Sequence, residues 1–186
     1  MRIILALCLA FLSLAAAPGK PAPHKPPKPA LDQLFAALAQ AQSAEDAKPI
    51  EDQIYALFEQ SGSPTVDLLM ARGAAALAGG DDQTARKLFD SVTDIAPNFA
   101  EAWHEKAQLQ VDAGEDEAAM ISLQKTVTLN PRQFAAMNQL GEMLEEYGNK
   151  DGALKLYKRA LALDPQLEGA AKRVKALEKD VEGQGI

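Results

Sequence analysis

Aromatic residues make up only 5% of this 186-residue chain, and cysteine occurs once, at Cys8. So few rings exclude a core built on large aromatics, and a single thiol excludes an internal disulfide framework. Histidine is limited to His24 and His104, with no second histidine at ligand spacing, so no histidine metal cluster is expected. Alternating runs of Val, Ile and Thr are missing, which argues against sheet. Basic charge is in deficit: the formal net charge is −7, the wrong sign for a nucleic-acid surface. What is abundant is an apolar fraction of 47%, carried mainly by Ala and Leu, which suits helices packed closely through small side chains.

The first residues read as an address label. Met1-Arg2 gives a positive start, Ile3 to Ala17 is apolar, and Ala15-Ala16-Ala17 supplies small residues for cleavage, after Ala17 or after Ala15. Residues 1–17 are therefore expected to be a signal peptide, with an uncleaved anchor as the alternative, and the location to be periplasmic or secreted. Cys8 lies inside the apolar run behind the bulky Leu7, so it reads as a leader residue rather than a lipid attachment site. Residues 18–30 hold Pro18, Pro21, Pro23, Pro26, Pro27 and Pro29 among Lys20, Lys25 and Lys28, the composition of an extended linker.

From Leu31 the pattern turns helical. Leu31, Leu34, Phe35 and Leu38 share one face, as do Ile50, Ile54, Leu57 and Phe58 after a break at Ser43–Lys48, with Pro49 expected in the first turn of the second helix. Residues 31–64 thus form a helical hairpin, expected to be a degenerate repeat or cap. Beyond it a fixed period rules: Pro97, Pro131 and Pro165 recur every 34 residues, as do Gly80, Gly114 and Gly148, and Ala85, Ala119 and Ala153. Each glycine can take the left-handed conformation that closes one helix, and Asp81, Glu115 and Asn149 start the next. Each proline forces the residue before it out of helical geometry. Gly73, Ala107 and Gly141 are small where paired helices meet. Phe89, Leu123 and Tyr157, with Ile95, Leu129 and Leu163, are expected to fill the space between units.

Ala100-Glu101-Ala102-Trp103 through Asn130-Pro131, and Phe134 with Leu140-Gly141, Ala153, Tyr157 and Asp164-Pro165, resemble the tetratricopeptide repeat. Three copies are expected, at 66–99, 100–133 and 134–167, followed by a capping helix at 168–182. Arg72 and Lys106 depart from the family's Leu, and their stems are expected to pack while their charges reach water. The resemblance implies an all-α, right-handed superhelical solenoid of helix-turn-helix repeats whose first helices line a concave face. It places Met70, Glu101, His104, Glu105, Gln108, Asn138, Gln139 and Glu142 on that face as peptide-binding residues.

No nucleophile with a base, no metal cluster and no phosphate loop can be assembled, so catalytic residues, cofactors and metals are all expected to be none. Gly79-Gly80-Asp81-Asp82 lacks the alternating ligands of a calcium loop. The expected role is a non-enzymatic scaffold of the cell envelope that binds a protein or peptide, not nucleic acid, without stable membrane insertion after cleavage. The alternatives are self-association through Leu34, Phe35, Ile54 and Phe58 of the first hairpin, giving a homo-oligomer, and an accessory subunit of an envelope enzyme.

Overall fold

The computed structural model describes residues 28–183. The expected signal peptide and residues 18–27 of the expected linker lie outside the described residues. Among the described residues there are nine α-helices and no strand: α1 (Lys28–Leu38), α2 (Ala44–Phe58), α3 (Pro64–Ala78), α4 (Asp82–Ile95), α5 (Ala100–Asp112), α6 (Asp116–Leu129), α7 (Phe134–Glu146), α8 (Lys150–Leu163) and α9 (Ala170–Gly183). From α3 to α9 each helix packs on the next in chain order. This is a stack of helix pairs closed by a final helix.

The periodic marks act as chemistry requires. Gly80, Gly114 and Gly148 have φ of 75°, 70° and 80°, the left-handed region in which a Cβ is costly. At the other joints the residues before proline, Ala96, Asn130 and Asp164, have φ of −131°, −125° and −132° and leave the helix. Asp81 and Asn149 accept hydrogen bonds from the amides of Thr84 and Gly152, capping α4 and α8. Glu115 makes no such bond and pairs with Arg86 instead.

Inside each pair the small residue meets a large one. Gly73 lies against the ring of Phe89 and Gly141 against that of Tyr157, and both rings are fully buried. Ile95 is an exception to the expected filling. It is 57% exposed, because α4 ends there and Val92 and Thr93, one turn back, already face inward. Lys106 reaches Asp90 at 2.7 Å and lies over the Trp103 ring, while Arg72 is exposed. In α9, Leu177 covers Ala153 and Tyr157, so the last unit is sealed by an apolar stripe with polar neighbours.

The N-terminal hairpin differs from expectation in three ways. Helix α1 already starts at Lys28, because proline in a first turn, here Pro29, sacrifices no intrahelical bond. Helix α2 starts at Ala44, since Ser43 accepts from the Asp46 amide and Glu45 and Asp46 favour a helix start. Pro49 therefore sits inside the helix rather than at its start. Finally, the hairpin does not stack on α3 as another repeat would. Phe35, Leu38, Ile54 and Phe58 share a core with Phe134, Met137 and Leu140, whereas Val66 of α3 clusters separately with Val92 and Ala102.

Candidate binding wall

The first helices of the three pairs follow one another across a wall: α3 and α5 line one pocket, α5 and α7 are joined through His104 and Gln139, and the hairpin packs against α7. Its anchor is aromatic. Phe134, at the start of α7, meets Phe35 edge-on with centroids 6.3 Å apart and Tyr55 at 5.4 Å. Two equivalent loop positions then grip the hairpin. Arg132 pairs with Asp32 and stacks on the Phe35 ring at 3.8 Å, and Gln166, 34 residues later, donates from Nε2 to the Ala41 carbonyl at 3.0 Å. Toward α3 and α5 the end of α2 leaves a pocket whose lining includes Glu59, Met70, Ala74, Glu101 and Glu105.

The eight residues expected on the wall fall into three groups. Met70 and Glu105 are partly buried in the pocket beside α2, with Glu101 at its edge. Glu101, His104, Gln108 and Gln139 belong to a seam joining α5 to α7. Glu101 Oε2 accepts from Gln133 Nε2 at 2.9 Å, and its Oε1 lies 3.4 Å from His104 Nδ1. His104 Nε2 lies 3.1 Å from Gln139 Oε1, which fits a ring proton donated to the amide oxygen, and 3.5 Å from Gln108 Nε2. Asn138 and Glu142 form the third group: Asn138 Nδ2 donates to Glu142 Oε1 at 3.1 Å, and Arg173 of α9 lies 3.9 Å from Glu142.

Burial and charge tune these groups. Burial works against a charged His104, but the hydrogen bond and attraction of Glu101, with help from Gln139, hold its pKa above the ordinary value. Burial pushes the Glu105 carboxyl up, and Glu101 pushes it further, with His104 opposing. Glu59 rises for the same two reasons, burial and Glu101. Glu51 on α2 is raised by burial and by Asp164, and burial likewise raises Asp164. Gln133 Oε1, Asn138 Oδ1 and Asp164 Oδ2 are buried without a hydrogen-bond partner.

Several of these participants were not expected from the sequence: Tyr55, Glu51 and Glu59 of α2, Arg132, Gln133 and Asp164 of the joints, and Arg173 of the last helix. One signal was available. Glu51, Tyr55 and Glu59 recur at i, i+4 and i+8 beside the apolar stripe of Ile54 and Phe58, so they mark a second face of α2. Of the four residues considered for pairing with a second copy, Phe35, Ile54 and Phe58 are 6%, 0% and 8% exposed against this chain's own repeats, and Leu34 is half-buried.

Residues 100–133 and 134–167 each match a family model described as tetratricopeptide repeat. Residues 100–167 carry two tetratricopeptide repeats in succession. A repeat-containing protein of Rhizobium etli is similar to it, 29% identical over 157 residues that span 84% of this chain and 77% of that protein. Among solved structures, MamA has a TM-score of 0.57 at 19% identity, covering 74% of this chain and 84% of that one. The first such domain of Spaghetti, bound to the HSP90 peptide SRMEEVD, has a TM-score of 0.56 at 18% identity, covering 63% and 93% respectively. These likenesses show the fold. Among the described residues no group of His, Cys, Asp and Glu is placed to hold a metal ion, and no helix is long and apolar enough to cross a membrane.

Proposed function

We propose that this chain is a non-enzymatic scaffold that binds a protein or peptide partner along the wall of α3, α5 and α7, and that it does so in the cell envelope after export. One observation carries the reading: the wall already holds the chain's own hairpin, with Tyr55 of α2 against Phe134 and with polar contacts from successive loops to Asp32 of α1 and to the Ala41 carbonyl in the turn before α2. A surface that accepts one amphipathic helix has the shape and chemistry for another. The peptide held by the Spaghetti domain supports the same use of the architecture. The seam of Glu101, His104 and Gln139 adds polar groups fixed by their neighbours, which select orientation more than they add affinity.

A photo-crosslinking residue at Asn138, with a control at His24, tests this in cells. A discrete partner captured at Asn138 and absent at His24 is the expected result; capture at His24 alone would move the function to the linker and refute wall binding. Export has its own measurement. A reporter fused after Pro29 should be found outside the cytoplasm, and one retained inside would defeat the envelope assignment.

A further inference from the structure

The hairpin sits on the wall against its own charge. Residues 30–63 contain six acidic side chains, Asp32, Glu45, Asp46, Glu51, Asp52 and Glu59, and one basic one, Lys48. Lys48 is engaged by Asp52 on the same helix, which leaves little positive charge for the wall. The wall is acidic where α2 crosses it. Glu59 shares a pocket with Glu101 and Glu105. Glu51 lies within hydrogen-bonding reach of Asp164, which is fully buried: Asp164 Oδ1 accepts from the Gln166 amide at 3.0 Å, its Oδ2 has no N–H donor, and the two carboxyls meet by sharing a proton. Apart from Arg132, which pairs with Asp32 and stacks on Phe35, and the Gln166 hydrogen bond to the Ala41 carbonyl, the attraction holding the hairpin is apolar. An interface that offers a buried carboxylate only a proton shared with another carboxyl, and gathers Glu59, Glu101 and Glu105 around one pocket, gives up free energy that a better matched occupant would recover.

Resting on the reading of this wall as the binding surface, we propose that the α1–α2 hairpin is a displaceable occupant whose replacement is a basic amphipathic helix of a partner protein. That helix presents an aromatic residue to Phe134 and lysine or arginine to Asp164 and to the Glu101–Glu105 pair, where the hairpin presents Glu51 and Glu59. The hairpin then acts as a cover that excludes weaker, acidic helices and yields to one with matching charge.

The test uses the leaderless full chain and a synthetic probe, the chain's own residues 44–61 carrying Glu51→Lys and Glu59→Lys. Binding is read by fluorescence anisotropy, and hairpin position by the distance between spin labels at Gln53 and Gln124. The charge-reversed peptide should bind at least about tenfold more tightly than the unaltered peptide, a difference of roughly 1.4 kcal/mol, and should lengthen the label distance. Equal binding of the two peptides overturns the charge argument, and tight binding with an unchanged label distance overturns displacement. A chain variant carrying E51K and E59K itself should hold its hairpin more firmly and bind the probe about tenfold more weakly; undiminished binding to that variant also overturns the proposal. If these fail while Asn138 still captures a partner in cells, the wall remains the binding surface and only the displaced hairpin is wrong. If Asn138 captures nothing, the wall reading itself has failed.

Discussion

Replacing Gly73 by alanine should destabilise the protein, although alanine is the better helix former. A Cβ at this position would lie 2.4 Å from Cε1 and 2.7 Å from Cζ of Phe89. Carbon atoms in contact prefer about 3.5–4.0 Å, so ring or backbone must move by about an ångström. Phe89 is fully buried between the paired helices and has no solvent to swing into. Overpacking of that severity costs about 2–3 kcal/mol, at the upper end of the usual range. Relief of the glycine penalty inside a helix returns roughly 1 kcal/mol, which leaves a net loss of about 1–2 kcal/mol. The next units show what the loss depends on. At the equivalent positions Ala107 accompanies Leu123, whereas Gly141 accompanies Tyr157, whose Cε1 would lie 2.9 Å from an added Cβ. The double variant Gly73→Ala with Phe89→Leu recreates the Ala107–Leu123 pair, so its loss in urea denaturation should be smaller than the sum of the single losses by about 1 kcal/mol or more. Additivity within about 0.5 kcal/mol, or a Gly73→Ala variant more stable than the parent, would refute the reasoning.

Other perturbations separate backbone strain, docking and charge. Gly148→Ala should cost about 1–2 kcal/mol for backbone conformation alone, since φ is 80° and no atom lies within 4 Å of the added Cβ; a neutral result in the same denaturation assay contradicts that. Phe35→Ala should cost about 3–5 kcal/mol locally, because the buried ring contacts Phe58, Phe134 and Arg132. Hydrogen exchange should then quicken in α1 and α2 and stay slow in α5 to α8, and uniform acceleration would argue that the hairpin is an integral part of the repeat core. Melting temperature should rise as pH falls from 8 toward 5. Glu51, facing Asp164 and Lys48, Glu59 facing Glu101, Glu105 facing Glu101, His104 and Glu59, and Asp164 facing Glu51 all have raised pKa values, first through burial. His104 is raised through Glu101. Groups raised by folding contribute stability that is complete below their unfolded values and is lost as pH climbs through the folded ones. A melting temperature that is flat, or that falls on acidification across this range, contradicts the assignment. Asp81, lowered by capping Thr84, works the other way, but its contribution is lost only in more acidic solution.

The repeats were legible because their constraints are local and recur. Gly80, Gly114 and Gly148 needed only a left-handed turn, and Ala96, Asn130 and Asp164 only a following proline, so spacing alone located every joint. Exposure was harder to foresee. Ile95 looked like a filler by register with Leu129 and Leu163, yet a helix-end residue is buried only if a neighbouring unit reaches it. The eight wall residues were placed by family resemblance, and what the sequence withheld was their company. Nothing in the spacing of Glu101 and His104 reveals that Gln133 and Gln139 complete their hydrogen bonds, because those partners lie 32 and 35 residues away, at the end of the same unit and in the next one.

The hairpin was the least legible part, and the reason lies in where it binds rather than in what it is. Apolar periodicity announces a helix face that must be covered but carries no information about which distant surface covers it. Stacking in register was the economical guess, and the chain departs from it because only one unit offers an anchor. Phe134 opens the third unit, whereas the same position holds Val66 in the first and Ala100 in the second. Arg132 and Gln166 follow Pro131 and Pro165, where the earlier joint has Asn98 after Pro97. Aromatic surface and long hydrogen-bonding side chains therefore coincide at the third unit alone. A hairpin bearing Phe35, Tyr55 and Asp32 finds its complement there. The same asymmetry explains why the hairpin docks at one place on an otherwise uniform array, and why the residues that hold it are those that break the 34-residue repetition.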